Sequence, residues 1–417
     1  MRSPLIRGRT LVLPRLYGLL ISLARCTSPS EGASPEHRVE CRPMRINSVE
    51  AFPLHYPEPH DSNKSRYVTI AKVTSSDGAV GWGECIAQFP EAALATRVVV
   101  EEGFAPLLIG EDARDVERLW QAMRDRSWWY GNGGIASFAI SAVDMALWDL
   151  KGRILDVPVY ELLGGKRMER MRACASVIFD TEDLDATGEE FADYASRGYT
   201  AVKGGWGKSP ETCFGRDPKR DLAVVSTIRD AVGPDIDVIV DVGTHVSWTP
   251  SHAIAMARAF EPYNLYWIEE PLPQDDIQGY IRLRESIRTP VATGEKEWTL
   301  RAFKELIELG AADIVMPDPG KAEGVTGFKK IVEFADAHSV RFTPHSWSSA
   351  INTAAAANLY ASCDNGVVFE LKPNPSPMQY ELVTEPIEQE GGWVPIPEGP
   401  GWGLTINHEV IDRYLMR

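Results

Sequence analysis

The chain is poor in the features that mark several large protein classes. It has six cysteines in 417 residues. Cys26, Cys41, Cys85, Cys174, Cys213 and Cys363 are scattered without a CxxC pair. That spacing suggests neither a disulfide framework nor a zinc–thiolate site, and a reducing cytoplasm is the simplest setting. Positive charge is in deficit. Lys and Arg number 43 against 59 Asp and Glu, a formal net charge of −16. This argues against nucleic acid or an anionic membrane as the main partner. It leaves room for an anionic substrate, because a bound divalent cation reverses the local field. A GxGxxG phosphate loop is missing after the first strand-like run of the alternating region, which weakens the case for an open doubly wound sheet.

Residues 1–43 differ from the rest. Met1–Cys26 is Arg-rich, lacks Asp and Glu, and carries the apolar run Leu19–Leu23, too short for a transmembrane helix. A signal or transit peptide is one reading. A lipoprotein signal needs a small residue before Cys26, where Arg25 stands. The preferred reading is an upstream extension, disordered or from a misassigned start, because Met44-Arg45-Ile46 opens a clean strand-like segment.

Residues 44–56 and 66–74 alternate apolar and polar side chains, as strands do. The polar stretch Pro57–Ser65 between them reads as a mobile loop. Ser76-Asp77-Gly78 is a hairpin turn signal leading into the strand Val80–Glu84. Helical periodicity then runs from Pro90 to about Leu155. Residues 44–165 are therefore read as an N-terminal α+β capping domain.

From about residue 170 short β-branched runs alternate with amphipathic helical stretches. The runs are Ala173–Ile178, Thr200–Lys203, Val238–Asp241, Leu265–Glu269, Pro290–Thr293, Asp313–Met316, Val340–Thr343 and Val367–Glu370. This is α/β grammar. It predicts a (β/α)7–8 TIM-type barrel over residues 166–385.

Asp241 ends Val-Ile-Val-Asp, Glu269 ends Tyr-Trp-Ile-Glu, and Glu295 follows Val-Ala-Thr-Gly. They lie 28 and 26 residues apart, about one βα unit each. In a parallel barrel they meet at the C-terminal rim, where such folds place active sites. A single carboxylate there is usually a solvated loop residue. Three at equivalent positions repel one another unless a cation lies between them. All-oxygen ligation suits Mg²⁺ first and Mn²⁺ second. The next strands continue the series with Asp318, His345 and Glu370. A His beside an Asp from the adjacent strand makes a dyad in which the Asp fixes the tautomer and raises basicity. Glu370 is a hydrogen-bond donor if held protonated. Lys203 ends the second run, either as a solvated strand end or as a cation aimed into the site.

These residues resemble the enolase superfamily, mandelate racemase subgroup, from about Met44 to the C-terminus. The resemblance is carried by Trp267-Ile268-Glu269-Glu270-Pro271, Gly294-Glu295, Met316-Pro317-Asp318 with Lys321, Gly324-Val325-Thr326-Gly327 and Pro344-His345. In the first domain it is carried by Asp144-Met145-Ala146-Leu147-Trp148-Asp149 and Leu162-Leu163-Gly164-Gly165. It implies Asp241, Glu269 and Glu295 as Mg²⁺ ligands, His345 and Asp318 as the base dyad, and Glu370 as the acid that hydrogen-bonds the enolate. It also implies a C-terminal segment, 386–417, that returns to the cap, and a homo-oligomer. Two positions depart from the family pattern. Lys203 matches the first lysine of its Lys-x-Lys motif, but Gly205 stands at the second. Gly243 stands two past the first ligand, where Asn or His is common, and His245 lies two further on.

The resulting expectation is a cytoplasmic enzyme acting on a small carboxylate, with catalytic His345, Asp318, Lys203 and Glu370. It removes the α-proton of a sugar acid and eliminates the β-hydroxyl to give a 2-keto-3-deoxy acid. Two alternatives are an epimerase or cycloisomerase using the same enolate chemistry, with Lys203 as a second base, and a non-catalytic sugar-acid binding protein. The segments Pro57–Ser65 and Ala87–Ala95 are expected to close over the barrel mouth. His60, Arg66, Tyr130, Trp206, His245, Lys321 and Trp347 are the candidate substrate contacts.

Overall fold

The computed structural model describes residues 43–179, 182–207, 209, 212–243, 246 and 248–417. The candidate contact His245 lies outside them. The alternating N-terminal segments form a three-stranded antiparallel sheet of β1 (Ile46–Glu58), β2 (Lys64–Ser75) and β3 (Val80–Cys85). Its inward residues, among them Val49, Leu54, Val68, Ile70 and Val73, are buried.

The stretch Pro57–Ser65 is not the open loop its polarity predicts. Strand pairing continues to Glu58 opposite Lys64, and a 3₁₀ turn at Pro59–Asp61 closes the hairpin. Three ionic contacts hold this tip. Asp61 takes Lys64 at 2.9 Å and Arg66 at 2.7 Å. Buried Glu58 pairs with Lys372 of the barrel at 2.5 Å. Glu58 and Asp61 are buried in these pairs, while Ser62–Ser65 remain exposed.

The apolar helix Ile135–Leu155 is buried along almost its whole length against this sheet and the barrel. Helix and β3 meet at backbone distance. A Cβ on Gly83 would overlap the Ala142 carbonyl oxygen, so glycine is required by the close approach.

Eight parallel strands then alternate with helices. They are β4 (Arg170–Ile178), β5 (Ala201–Gly205), β6 (Asp237–Asp241), β7 (Leu265–Glu269), β8 (Val291–Thr293), β9 (Ile314–Val315), β10 (Arg341–Phe342) and β11 (Phe369–Leu371). Neighbours pair in sequence order from β4 to β10, and β11 pairs with β4. A parallel bridge from Phe342 to Gly366 joins β10 to the segment entering β11, which closes the ring. Among the described residues seven α-helices connect the eight strands, the first of them Leu184–Ser196.

The barrel interior is packed by size complementarity. Trp267 of β7 fills it together with Cys174, Ala201, Ile239, Ala292 and Met316. Small residues at Cys174, Ala201 and Ala292 leave room for one indole. The C-terminal residues lie against the cap. Trp402 donates from its indole to the Trp82 carbonyl at 2.7 Å, and Leu415 bridges Leu54. The strand β12 (Trp393–Pro395) pairs antiparallel with β4.

Gly83→Ala is expected to cost about 1–3 kcal/mol, the usual range for overpacking. A lower urea midpoint at unchanged slope would register this. An unchanged midpoint would mean that the helix can move away from β3.

Candidate active site

Strand direction sets the positions of the side chains. Lys203, Asp241 and Glu269 lie at or near the C-terminal ends of β5, β6 and β7. Glu295, Asp318 and His345 follow β8, β9 and β10, and Glu370 lies in β11. Ligand oxygens of Asp241, Glu269 and Glu295 lie within 4.8 Å of one another, and all three residues are buried.

The carboxylates strain against one another. Burial, with Glu269 and Glu295 facing it, holds Asp241 well above the ordinary carboxylate range. Burial and its neighbours push Glu269 up to about 7, although Lys203 pulls the other way. The Oδ1 atom of Asp241 is buried with no hydrogen-bond partner among the described residues. An orphaned anionic oxygen in an all-oxygen cluster fits a hard divalent cation such as Mg²⁺.

Neighbouring groups fix the cluster. Lys203 Nζ lies 2.5 Å from Glu269 and 2.8 Å from Glu370. Burial opposes its charge, but Glu269, Glu370 and Asp241 carry its pKa well above the lysine value. It is a permanent ammonium. The Trp267 indole N–H donates to the other Glu269 oxygen at 2.9 Å. Glu270, behind the cluster, accepts from Thr293 Oγ1 and the Gly294 N–H, both at 2.8 Å, and pairs with Lys296 at 2.9 Å. It thereby fixes the peptide that carries Glu295.

His345 Nδ1 meets Asp318 Oδ2 at 2.5 Å, and Nε2 points to Glu295 at 3.6 Å. Asn352 and the Gly320 N–H hold the other Asp318 oxygen. Burial disfavours the imidazolium, but Glu295 and Asp318 more than offset it and bring His345 to about 10. A cation among the carboxylates removes much of that negative field and moves the imidazole toward a working base.

Glu370 does not meet the expectation of a protonated donor. Ser176 Oγ, the Ser346 N–H and Lys203 all donate to it. Burial would raise its pKa, but Lys203 and His345 carry it down to about 2. It is an ionised anchor for Lys203 and for the loop after His345.

A cavity of about 360 Å³ opens on this cluster. Lys203, Asp241, Glu295, His345 and Glu370 form its charged side, and Trp206, Lys321 and Trp347 also line it. The Lys321 ammonium lies 4.3 Å from the Trp298 ring centre. The cap contributes Arg66 and the segment Ile86–Phe89, so Ala87–Ala95 does reach the mouth.

Two expected contacts do not reach it. His60 is tied to the Asn374 carbonyl at 2.7 Å and lies edge-on to Trp347, beside a separate small cavity. Tyr130 is 56% exposed and does not line the cavity. Arg66, expected as a substrate contact, does line the cavity, whereas Ser176, Trp298 and Phe138 went unassigned in the sequence. Ser176 could have been found, since it alternates with Cys174 and Ile178 on β4.

Both family departures are steric. A Cβ on Gly205 would overlap the Asp241 carbonyl oxygen. A Cβ on Gly243 would overlap the Trp206 ring, which fills the space a side chain would take.

A capped barrel with three converging carboxylates and a His–Asp dyad defines a class of metal-assisted enzymes that act beside a carbonyl or carboxylate. Residues 47–164 match the model of the mandelate racemase / muconate lactonizing enzyme N-terminal domain, and residues 186–410 match the enolase C-terminal domain-like model. The chain belongs to the enolase superfamily, in its mandelate racemase subgroup, and is an enzyme. It is 30% identical to D-galactarolactone cycloisomerase of Agrobacterium fabrum, over 89% of this chain and 99% of that one. It is 30% identical to arabinonate dehydratase of Saccharolobus solfataricus, over 83% and 90%. The crystal structure of the 3,6-anhydro-D-galactonate cycloisomerase from Zobellia galactanivorans superposes with a TM-score of 0.81 at 32% identity, covering 89% of this chain and all of that one. Among the described residues no helix is long and apolar enough to cross a membrane.

Added Mg²⁺ is expected to raise Tm, by the equivalent of about 2.7 kcal/mol at a hundredfold excess over Kd. The ligands bind as carboxylates and Glu269 lies at about 7. The gain is therefore full well above pH 7 and shrinks as pH falls through about 7. Asp241→Asn should abolish most of it. A Tm indifferent to Mg²⁺ at pH 8 would refute the site.

Proposed function

We propose that this enzyme removes the α-proton of a sugar-acid carboxylate and eliminates the β-oxygen. With a free β-hydroxyl this is dehydration to a 2-keto-3-deoxy acid. One observation carries the reading: among the described residues His345, oriented by Asp318, points to Glu295 of the carboxylate cluster, and the Asp241 backbone bars a side chain at Gly205.

Asp241, Glu269 and Glu295 would hold Mg²⁺, with Mn²⁺ as the second choice. Bound there, the cation supplies electrostatic stabilisation of the charge that develops when a carboxylate becomes an enediolate. Asp318 accepts from Nδ1 of His345 and leaves Nε2 free to take the α-proton. Lys203, an ammonium anchored by Glu370, faces the developing negative charge. After the carbon–oxygen bond breaks, the imidazolium is placed to return its proton to the departing oxygen on the same face. The product enol then tautomerises to the keto acid.

Epimerisation with Lys203 as second base is disfavoured. Its ammonium is engaged on two sides, by Glu269 at 2.5 Å and Glu370 at 2.8 Å. Cycloisomerisation is a second reading. There the β-oxygen belongs to a ring, and ring opening replaces loss of water. The flat indoles of Trp206, Trp298 and Trp347 around the cavity favour it, as do two of the relatives by name. Product mass separates the two, since ring opening gives an isomer of the substrate.

His345→Asn is expected to slow product formation on a sugar-acid library by about a hundred- to ten-thousand-fold, the usual contribution of a positioned base. Full activity in that variant would defeat the assignment.

A further inference from the structure

The cavity has two unlike sides. His345 follows β10 and points to Glu295 beyond β8. Trp206 follows β5 and rests on the loop that leaves β6. In a ring running from β4 to β11, these two stations lie across the mouth from each other. On the Trp206 side, Lys203 is committed to Glu269 and Glu370 and Asp241 belongs to the carboxylate cluster.

Trp206 is held there at a cost. Its φ is 61°, in the left-handed region, which a bulky residue occupies only when its surroundings over-determine it. The surroundings are specific. Gly205 before it has no room for a Cβ against Asp241, and the indole fills the space above Gly243. Two missing side chains and one strained backbone serve the placement of one ring.

We infer that Trp206 is a specificity-determining residue that closes the face of the enediolate opposite His345 to water and so prevents inversion at the α-carbon. This rests on the elimination reading above. With the ring in place and Lys203 held by Glu269 and Glu370, the routes that the described residues leave the enediolate are loss of its β-oxygen or return of the proton from His345. With the ring gone, water reaches the other face. There the enediolate electron pair forms a C–H bond as the water O–H bond breaks. The hydroxide released is neutralised by the proton His345 took. The result is the α-epimer of the substrate.

The test uses the full-length Mg²⁺-loaded enzyme in ²H₂O with a library of aldonates and aldarates. Product and recovered acid are both analysed by NMR and mass spectrometry. Wild type and Trp206→Phe should give product, with recovered acid free of α-inverted, deuterated material. Trp206→Ala should raise the ratio of inverted, deuterated acid to product by at least about tenfold, a shift of about 1.4 kcal/mol in partitioning. Gly243→Asn displaces the ring without altering it and should act in the same direction. This second variant guards against simple misfolding of the first. Variants that make product more slowly but return uninverted acid would overturn the role of Trp206 and leave the elimination reading intact. A wild type that inverts the acid and forms no product would overturn the elimination reading itself. So would a wild type that neither exchanges nor forms product on any acid.

Discussion

Repulsion among Asp241, Glu269 and Glu295 is the constraint that the rest of the site answers. A parallel barrel brings strand ends to one rim, and here it brings three carboxylates within 4.8 Å in a buried setting. Metal-free, that arrangement is costly, as the raised Asp241 and Glu269 show. The neighbours each offset part of the cost. Lys203 places a cation against Glu269, Trp267 lends an N–H, and Lys296 balances Glu270 behind the cluster. His345 is drawn toward the same charge. A site built this way stores an affinity for a divalent cation in its own strain. A mechanism in which the base is tuned by occupancy follows from it.

The cap is part of the chemistry as well as a cover. Buried Glu84 of β3 accepts from the hydroxyls of Ser348 and Ser349 and from the N–H of Asn352. Those residues follow His345, and Asn352 in turn donates to Asp318 at 3.2 Å. The Ile86 N–H reaches the Gly320 carbonyl at 3.2 Å, on the loop between Asp318 and Lys321. The sheet that carries the cavity roof therefore also positions the base dyad. Glu58 and Lys372 add a buried pair at the hairpin tip. Removing either partner would leave an unpaired buried charge, which costs far more than the pair contributes.

Much of this was legible in the sequence, for a physical reason. The alternation of short β-branched runs with helical stretches fixes which residue stands at each strand end. The barrel then brings those ends together, so Asp241, Glu269, Glu295, Asp318 and His345 could be read by period alone. His60 and Tyr130 could not. Their positions depend on how the cap docks, and no local pattern reports that. Pro57–Ser65 misled because two of its polar residues, Glu58 and Asp61, are buried in ion pairs. The charge state of Glu370 was misjudged for a similar reason: its three donors come from β4, β5 and the loop after β10, which are distant in sequence. Gly205 and Gly243 were visible as departures, but their cause, backbone overlap and the Trp206 ring, exists only in three dimensions.

The two sides of the cavity place different demands on a substrate. The floor is charged and rigid, and apolar walls such as Ile86, Phe138, Val177 and Trp298 limit the water that would screen it. Weak screening strengthens each charge–charge interaction there. Under the proposed function, electrostatics of this kind recognise the carboxylate end, and any such acid satisfies them. The roof, built from Arg66 and the segment Ile86–Phe89, has few polar groups to offer a chain of hydroxyls. Discrimination among acids must then come from shape and from those few groups. Reaction type is set by the barrel, where strand order dictates position. Under the same reading choice of acid falls to the cap, whose contribution the period of the sequence does not encode.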